Sequence, residues 1–210
     1  MKRICLFTGI SAPLLYAFTV ILGGILWSDY NHFSDAISEL TATEAPYRLP
    51  LNILFSISLV LATLFAVTAF LFVGRFGNRL LKAGMTILIA ITVLSFLWAF
   101  FPMDPRGEEI TVRGMVHLIL AGIVSPMTII SPILVGLGFR KIQVFRGYAV
   151  YSLISATLIL VTGLMAVLSV QSNVAYLGLF ERLTIGSYQQ WMGISALVFY
   201  RQWGKNLESI

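Results

Sequence analysis

The sequence predicts an all-α, polytopic membrane helix bundle with six transmembrane helices, and three observations carry that prediction. First, the 210 residues are 58% hydrophobic and only 11% charged, with a mean hydropathy of +0.90. A soluble domain carries roughly 25% charge, so this chain has too little polar surface to cover a globule in water. Second, its apolar residues fall in six blocks, each close to the ~20 residues that a helix needs to cross the hydrocarbon core. Third, the gaps between blocks alternate in charge. Asp29, Asp35, Glu39 and Glu44 lie in the first gap, Asp104, Glu108 and Glu109 in the third, and Glu181 in the fifth. The second and fourth gaps hold no acid and carry Arg75, Arg79, Lys82 and then Arg140, Lys141 and Arg146.

The first block runs over about 4–27, behind Met1-Lys2-Arg3. It is longer than the ~7–15 residues of a signal-peptide core and is followed by no small-x-small cleavage pattern. It reads as an uncleaved first span. In the gap that follows, Ser34 is suited to cap a short interfacial or re-entrant helix. Asp35, Ser38 and Glu39 would then share one face at i, i+3 and i+4, with Ala36, Ile37 and Leu40 turned toward lipid or the bundle. The second span covers about 51–73, with Asn52 near its start as a cap or inter-helix hydrogen bond. The third covers about 81–101 and the fourth about 115–139. Ser125-Pro126 and Ser131-Pro132 each remove a backbone donor from the fourth, which predicts a bend eased by the serine hydroxyls. The fifth covers about 148–170. The sixth, about 183–200, is the weakest, because Glu181, Arg182, Gln189 and Gln190 crowd one end and leave 191–200 as its uniformly apolar part. Closed barrels also satisfy the backbone in lipid, but their strands alternate apolar and polar residues, and these blocks do not. The whole chain, 1–210, reads as a single transmembrane domain.

Orientation follows from Lys and Arg. Lys2, Arg3, Arg75, Arg79, Lys82, Arg140, Lys141, Arg146, Arg201 and Lys205 collect on one side; Arg48, Arg106, Arg113 and Arg182 collect on the other. The first set belongs in the cytoplasm, so the prediction is a multi-pass plasma-membrane protein with both termini inside. Trp27, Tyr30, Trp98, Trp191 and Trp203 fall near predicted helix ends, where an interfacial aromatic belt would lie.

Several function classes drop out. No basic cluster exceeds three residues, so no nucleic-acid partner is expected; the expected partner is the lipid bilayer. Cys5 is the single cysteine, which excludes a disulfide framework and a multi-cysteine metal site and suits a small apolar filler. No Asp, Glu, Lys, Arg or His occupies the centre of a span, which argues against a proton or ion relay through the bilayer.

What remains is a polar constellation on the acidic side. Asp104 is bracketed by Pro102 and Pro105, which stiffen the backbone around it. His117 lies four residues past Arg113, roughly 6 Å deeper along the fourth helix, where an imidazole is expected to face the bundle interior. Glu181 and Arg182 join from the fifth gap. His32 reads as a solvated loop residue. Together, Asp35, Ser38, Glu39, Asp104, His117, Glu181 and Arg182 form a candidate ligand-binding pocket. His117 with Asp35, Glu39 and Asp104 has the donor chemistry for Zn²⁺ or another divalent cation. Without a metal, His117 could serve as a general base oriented by Asp104 or Glu39. No H-x-x-x-H or G-x-S-x-G pattern accompanies them. A purely structural network of the same charges, with Glu181 and Arg182 tied to Arg113 and Asp104, accounts for the residues equally.

Ile37-Ser38-Glu39-Leu40, Phe101-Pro102-Met103-Asp104, His117, and Gly178-Leu179 with Glu181-Arg182 follow one another as in the domain-of-unknown-function 998 family of small prokaryotic integral membrane proteins, which the chain resembles over nearly its whole length. The resemblance implies a multi-span fold, points to Ser38, Glu39, Asp104, His117 and Glu181, and carries no mechanism. The chain departs from intramembrane zinc-dependent lipid hydrolases of the ceramidase and adiponectin-receptor type, because it lacks their paired histidines in the last helix. Three functional classes follow: binding of a small polar ligand or lipid headgroup at the outer leaflet; an enzyme (hydrolase or transferase) acting there on a lipid-borne substrate; or an accessory subunit of a larger membrane complex.

Overall fold

A computed structural model describes residues 1–172 and 175–204. Among them the chain is all-helical, with no strand. Six long helices follow in order: α1 (Lys2–Leu26), α2 (Arg48–Gly74), α3 (Arg79–Ser95, continued by a 3₁₀ turn Phe96–Ala99), α4 (Val112–Phe139), α5 (Arg146–Gln171) and α6 (Leu177–Gln202). Each packs on its chain neighbours and α6 returns to pack against α1, so the helices close into a ring. Five of the six are long and apolar enough to cross a membrane, which makes this a multi-pass membrane protein.

The sixth helix starts six residues earlier than the sequence suggests, at Leu177 rather than Leu183. Two of its buried polar groups bond to hydroxyls of α5. Trp191 and Ser195 are fully buried; the Trp191 Nε1–H donates to Ser152 Oγ at 3.0 Å, and Ser195 shares a hydrogen bond of 2.6 Å with the Tyr148 hydroxyl. Trp191 is therefore an interior residue and not part of an interfacial belt. Protein contacts replace the hydropathy that this helix lacks. In α4 the two prolines sit inside one continuous helix. Ser131 does not ease a bend in its own helix; its hydroxyl donates to the Gly84 carbonyl of α3 at 2.9 Å, across a contact that a Cβ on Gly84 would crowd.

The two ends of the ring differ in chemistry. At the basic end, Lys2 Nζ lies 4.4 Å from the Tyr200 ring centroid, so α1 begins beside the end of α6. Asn78 caps α3 by accepting from Leu80 N–H at 2.9 Å and donates to the Gly138 carbonyl at 3.0 Å, stitching α3 to the end of α4. Phe72 stacks on Phe199 at 4.8 Å and Phe139 on Phe145 at 4.2 Å, and Phe76, Tyr148 and Trp203 join them. Cys5 is buried in the same core, as a small apolar filler would be. Lys205 of the basic set lies outside the described residues. At the acidic end, the first loop folds back as a plug. Ala36, Ile37, Leu40 and Ala42 are buried, and Ile37 and Leu40 pack with Val20, Tyr30 and Leu51.

Candidate functional site

The first loop forms a short 3₁₀ helix over Ile37–Thr41, not an α-helix capped by Ser34. Its N-cap is Ala36, whose N–H donates to Glu39 Oε1 at 3.0 Å. Asp35 therefore precedes the helix and turns back on its own loop, accepting from Asn31 N–H at 2.7 Å and from the Ser34 hydroxyl at 2.7 Å. Asp35 and Glu39 still meet, through Arg106. Arg106 donates to Glu39 Oε1 at 2.5 Å and to the Ser34 carbonyl at 3.1 Å, and its Nη1 lies 3.6 Å from Asp35 Oδ1. Sequence reasoning left Arg106 out of the constellation; its signal was one cation facing two acids on the neighbouring loop.

Glu181 and Arg182 clamp the same loop from α6. Glu181 Oε2 accepts from Ile37 N–H at 2.6 Å. Arg182 donates to the carbonyls of Asp35 (2.9 Å) and Gly178 (2.8 Å), to His32 Nδ1 (3.2 Å) and to the Tyr30 hydroxyl, over whose ring it also lies. The Tyr30 hydroxyl in turn donates to the Ala36 carbonyl at 2.8 Å. Burial raises the Tyr30 hydroxyl above the usual tyrosine range, with the Arg182 charge opposing the rise. His32 is not a solvated loop residue. It is partly buried, and both that burial and the Arg182 charge lower its pKa from 6.5, so the neutral ring can accept from Arg182. Gly178 fits beneath the loop because a Cβ there would collide with the carbonyls of Asp35 and His32.

Asp104 belongs to a second group. Its Oδ2 accepts from Thr111 N–H and its Oδ1 from the Thr111 hydroxyl, both at 2.8 Å, while Thr111 caps α4 by accepting from Gly114 N–H at 3.2 Å. A Cβ on Gly114 would strike the Asp104 carboxylate. A carboxylate is favoured at a helix N-terminus, where unpaired N–H groups and the helix dipole concentrate positive charge. His117 is buried one turn deeper. Its Nδ1 lies 3.0 Å from the Phe101 carbonyl. A carbonyl only accepts, so Nδ1 carries the proton and, in the neutral ring, Nε2 holds the lone pair. Nε2 has no hydrogen-bond partner among the described residues. The two groups touch at Ser38, whose hydroxyl lies 3.1 Å from Met103 Sδ, and at Thr43, whose N–H donates to the Met103 carbonyl at 3.1 Å.

The seven predicted site residues thus divide. Asp35 and Glu39 pair with Arg106, while Glu181 and Arg182 bond the loop backbone, His32 and Tyr30, without the Asp104 and Arg113 partners that the sequence suggested for the last two. Asp104 and His117 stand at the start of α4, with Ser38 between the groups. No group of three or more His, Cys, Asp or Glu that could hold a metal ion occurs among the described residues. An open cleft of about 380 Å³ lies beside Asp104, lined also by Thr43, Glu44, Glu108, Thr111 and Arg113. It brings in Glu44 and Glu108, which read as ordinary solvated loop charges in the sequence, and Arg113, which the sequence suggested as a partner for the α6 charges.

No curated protein and no solved structure matches the chain. A family match covers residues 10–198, nearly the whole ring of helices and both polar groups, and its description is Protein of unknown function (DUF998); the chain belongs to that family.

Proposed function

We propose that this chain is a six-span, single-domain protein of the plasma membrane with both termini in the cytoplasm, and that its outer, acidic end binds a small polar ligand or lipid headgroup. The ten-to-four division of Lys and Arg supports the orientation, and the contact of Lys2 with Tyr200 supports an even number of spans. The observation that carries the binding site is the cleft beside Asp104. Its lining includes Glu44, Glu108, Asp104 and Arg113, a mix of charges suited to an ammonium group joined to an anion. Asp35, Glu39, Glu181 and Arg182 hold the adjoining loop in place. Titrating the full chain in nanodiscs with phosphoethanolamine, followed by calorimetry, tests the assignment. Saturable binding is expected, weakened about tenfold, or ~1.4 kcal/mol, by Arg113→Gln; the absence of saturable heat sinks it.

A second reading is a hydrolase or transferase acting on a lipid-borne substrate, and the Nε2 of His117, unpartnered among the described residues, favours it. A ring held through Nδ1 with a free lone pair at Nε2 is the form a general base takes, and Asp104 at the start of the same helix is its candidate partner. Headgroup release from reconstituted phospholipid, abolished by His117→Gln while the fold is retained, would establish it. Should neither binding nor turnover appear, the accessory-subunit class is left.

A further inference from the structure

Helix α6 turns one face inward, and its opposite face carries a polar group with no partner among the described residues. Tyr188, Trp191, Met192, Ser195, Ala196 and Phe199 are buried. Their three- and four-residue spacing puts them on one face, packed within the ring. At roughly 100° per residue, Gln190 stands on the far side of the helix, in line with Leu183, Gly186 and Leu197, and all four are exposed. Gln190 makes no hydrogen bond among the described residues. Its depth makes this costly. Arg182 and Arg201 lie about 12 Å and 16 Å away along the axis, so Gln190 sits near the middle of the ~30 Å hydrocarbon layer. Neither water nor a lipid headgroup meets it there, and an amide in hydrocarbon without a partner costs free energy. A hydroxyl at such a place can turn onto its own helix, as Thr157 does by donating to the Leu153 carbonyl at 3.1 Å. The Gln190 amide has an acceptor oxygen as well as donors. In mid-helix every backbone N–H is already taken, so that oxygen must be met from outside the helix.

We infer that this face joins two copies of the chain, with the Gln190 amides of both copies bonded to each other. Copies inserted in the same orientation carry each residue at the same depth. A two-fold axis along the membrane normal therefore brings like residues together. A carboxamide is self-complementary, because each can donate to the oxygen of the other, and the pair closes with both acceptors met. Amide side chains join helices in this way inside membranes. A different partner would need its own donor and acceptor at the same depth; a second copy has them by identity. The flanking residues fit the same contact. Gly186, one turn from Gln190, has nothing within 4 Å of where a Cβ would stand, so the facing helix can approach closely there. Leu183 and Leu197 lie seven residues to either side, the spacing that keeps one seam on a facing helix. This inference is independent of the headgroup cleft and stands if that cleft is empty.

The test uses the full chain in liposomes, labelled at the N-terminus with donor or acceptor dye and diluted stepwise in lipid. Energy transfer should report a dimer whose dissociation constant rises about tenfold, or ~1.4 kcal/mol, in Gln190→Leu. Leucine suits a lipid-facing position, so the fold should persist. With Cys5 replaced by Ser, Leu183→Cys and Leu197→Cys should each form an intermolecular disulfide on mild oxidation. Val60→Cys and Leu160→Cys should not, although Val60 (50%) and Leu160 (43%) are as exposed as Leu183 (46%). A chain that stays monomeric at every dilution overturns the inference. So does a dimer that Gln190→Leu leaves unchanged, or one that cross-links at Val60 or Leu160 in place of α6. The cysteine variants decide the matter even if the Leu variant does not fold.

Discussion

Arg182 is the residue on which the acidic end turns. One guanidinium donates to two carbonyls, an imidazole and a phenol, and no other side chain offers five donors in a fixed fork. Arg182→Gln leaves several partly buried acceptors unpaired. Hydrogen bonds to charged groups contribute about 1.5–3 kcal/mol each before compensation, so a loss of about 3 kcal/mol is expected, read as a lower melting temperature in detergent. Lys at this position should recover little of it. His32 adds a pH dependence whose sign follows from its lowered pKa. In the folded protein the ring gains its proton below 6.5, whereas the unfolded chain gains it near that value. As pH falls through 6.5 the unfolded state takes up the proton first, and stability is lost progressively down to the depressed folded value. A melting temperature followed from pH 7.5 to 5.0 should fall in the native chain. His32→Asn should flatten that fall; an unchanged slope would exclude His32 as its source.

At the scale of elements, glycines set how closely helices approach loops and one another. Leu179 N–H donates to the Phe33 carbonyl at 3.0 Å, and Gly178 beside it admits the loop backbone. Gly178→Ala forces that contact apart, at about 1–3 kcal/mol as for overpacking elsewhere, and should raise proteolytic cleavage within the first loop before the helices melt. Gly136→Val acts on α4 and α5 where they are closest. A similar cost is expected, here as a lower melting temperature with the first loop still protected. Apolar blocks located five helices closely and set the start of the sixth six residues late. Periodicity failed on the first loop, where Asp35, Ser38 and Glu39 were expected on one α-helical face. The 3₁₀ turn forms because Glu39 caps Ala36 N–H while Ile37 N–H is taken by Glu181, 144 residues away in sequence.

For the whole molecule, the alternation of charge predicts which surface each loop faces. With Cys5 replaced by Ser, a cysteine introduced at Glu44 should react with an impermeant maleimide on intact cells. One at Arg140 should react only after permeabilisation; the reverse pattern would invert the topology. The ring closes through α6, the helix with the least apolar sequence. It is kept in the bundle by Trp191, Ser195 and their hydroxyl partners on α5.

The amino-acid sequence by itself determined that the chain is helical and membrane-embedded, roughly where five spans lie, and that acids and bases gather at opposite ends. Those properties depend on composition and local periodicity, which act within a helix or a loop. Only the tertiary structure decided which charges meet. Arg106 answers Glu39, His32 accepts from Arg182, and Asp104 accepts from Thr111 at the start of α4 instead of pairing with Arg182. It also decided that α4 and α5 come closest at Gly136, where a Cβ would lie 2.9 Å from the Ala149 carbonyl. The reason is physical: pairing and packing depend on distances between residues far apart in sequence, and hydropathy carries no information about them.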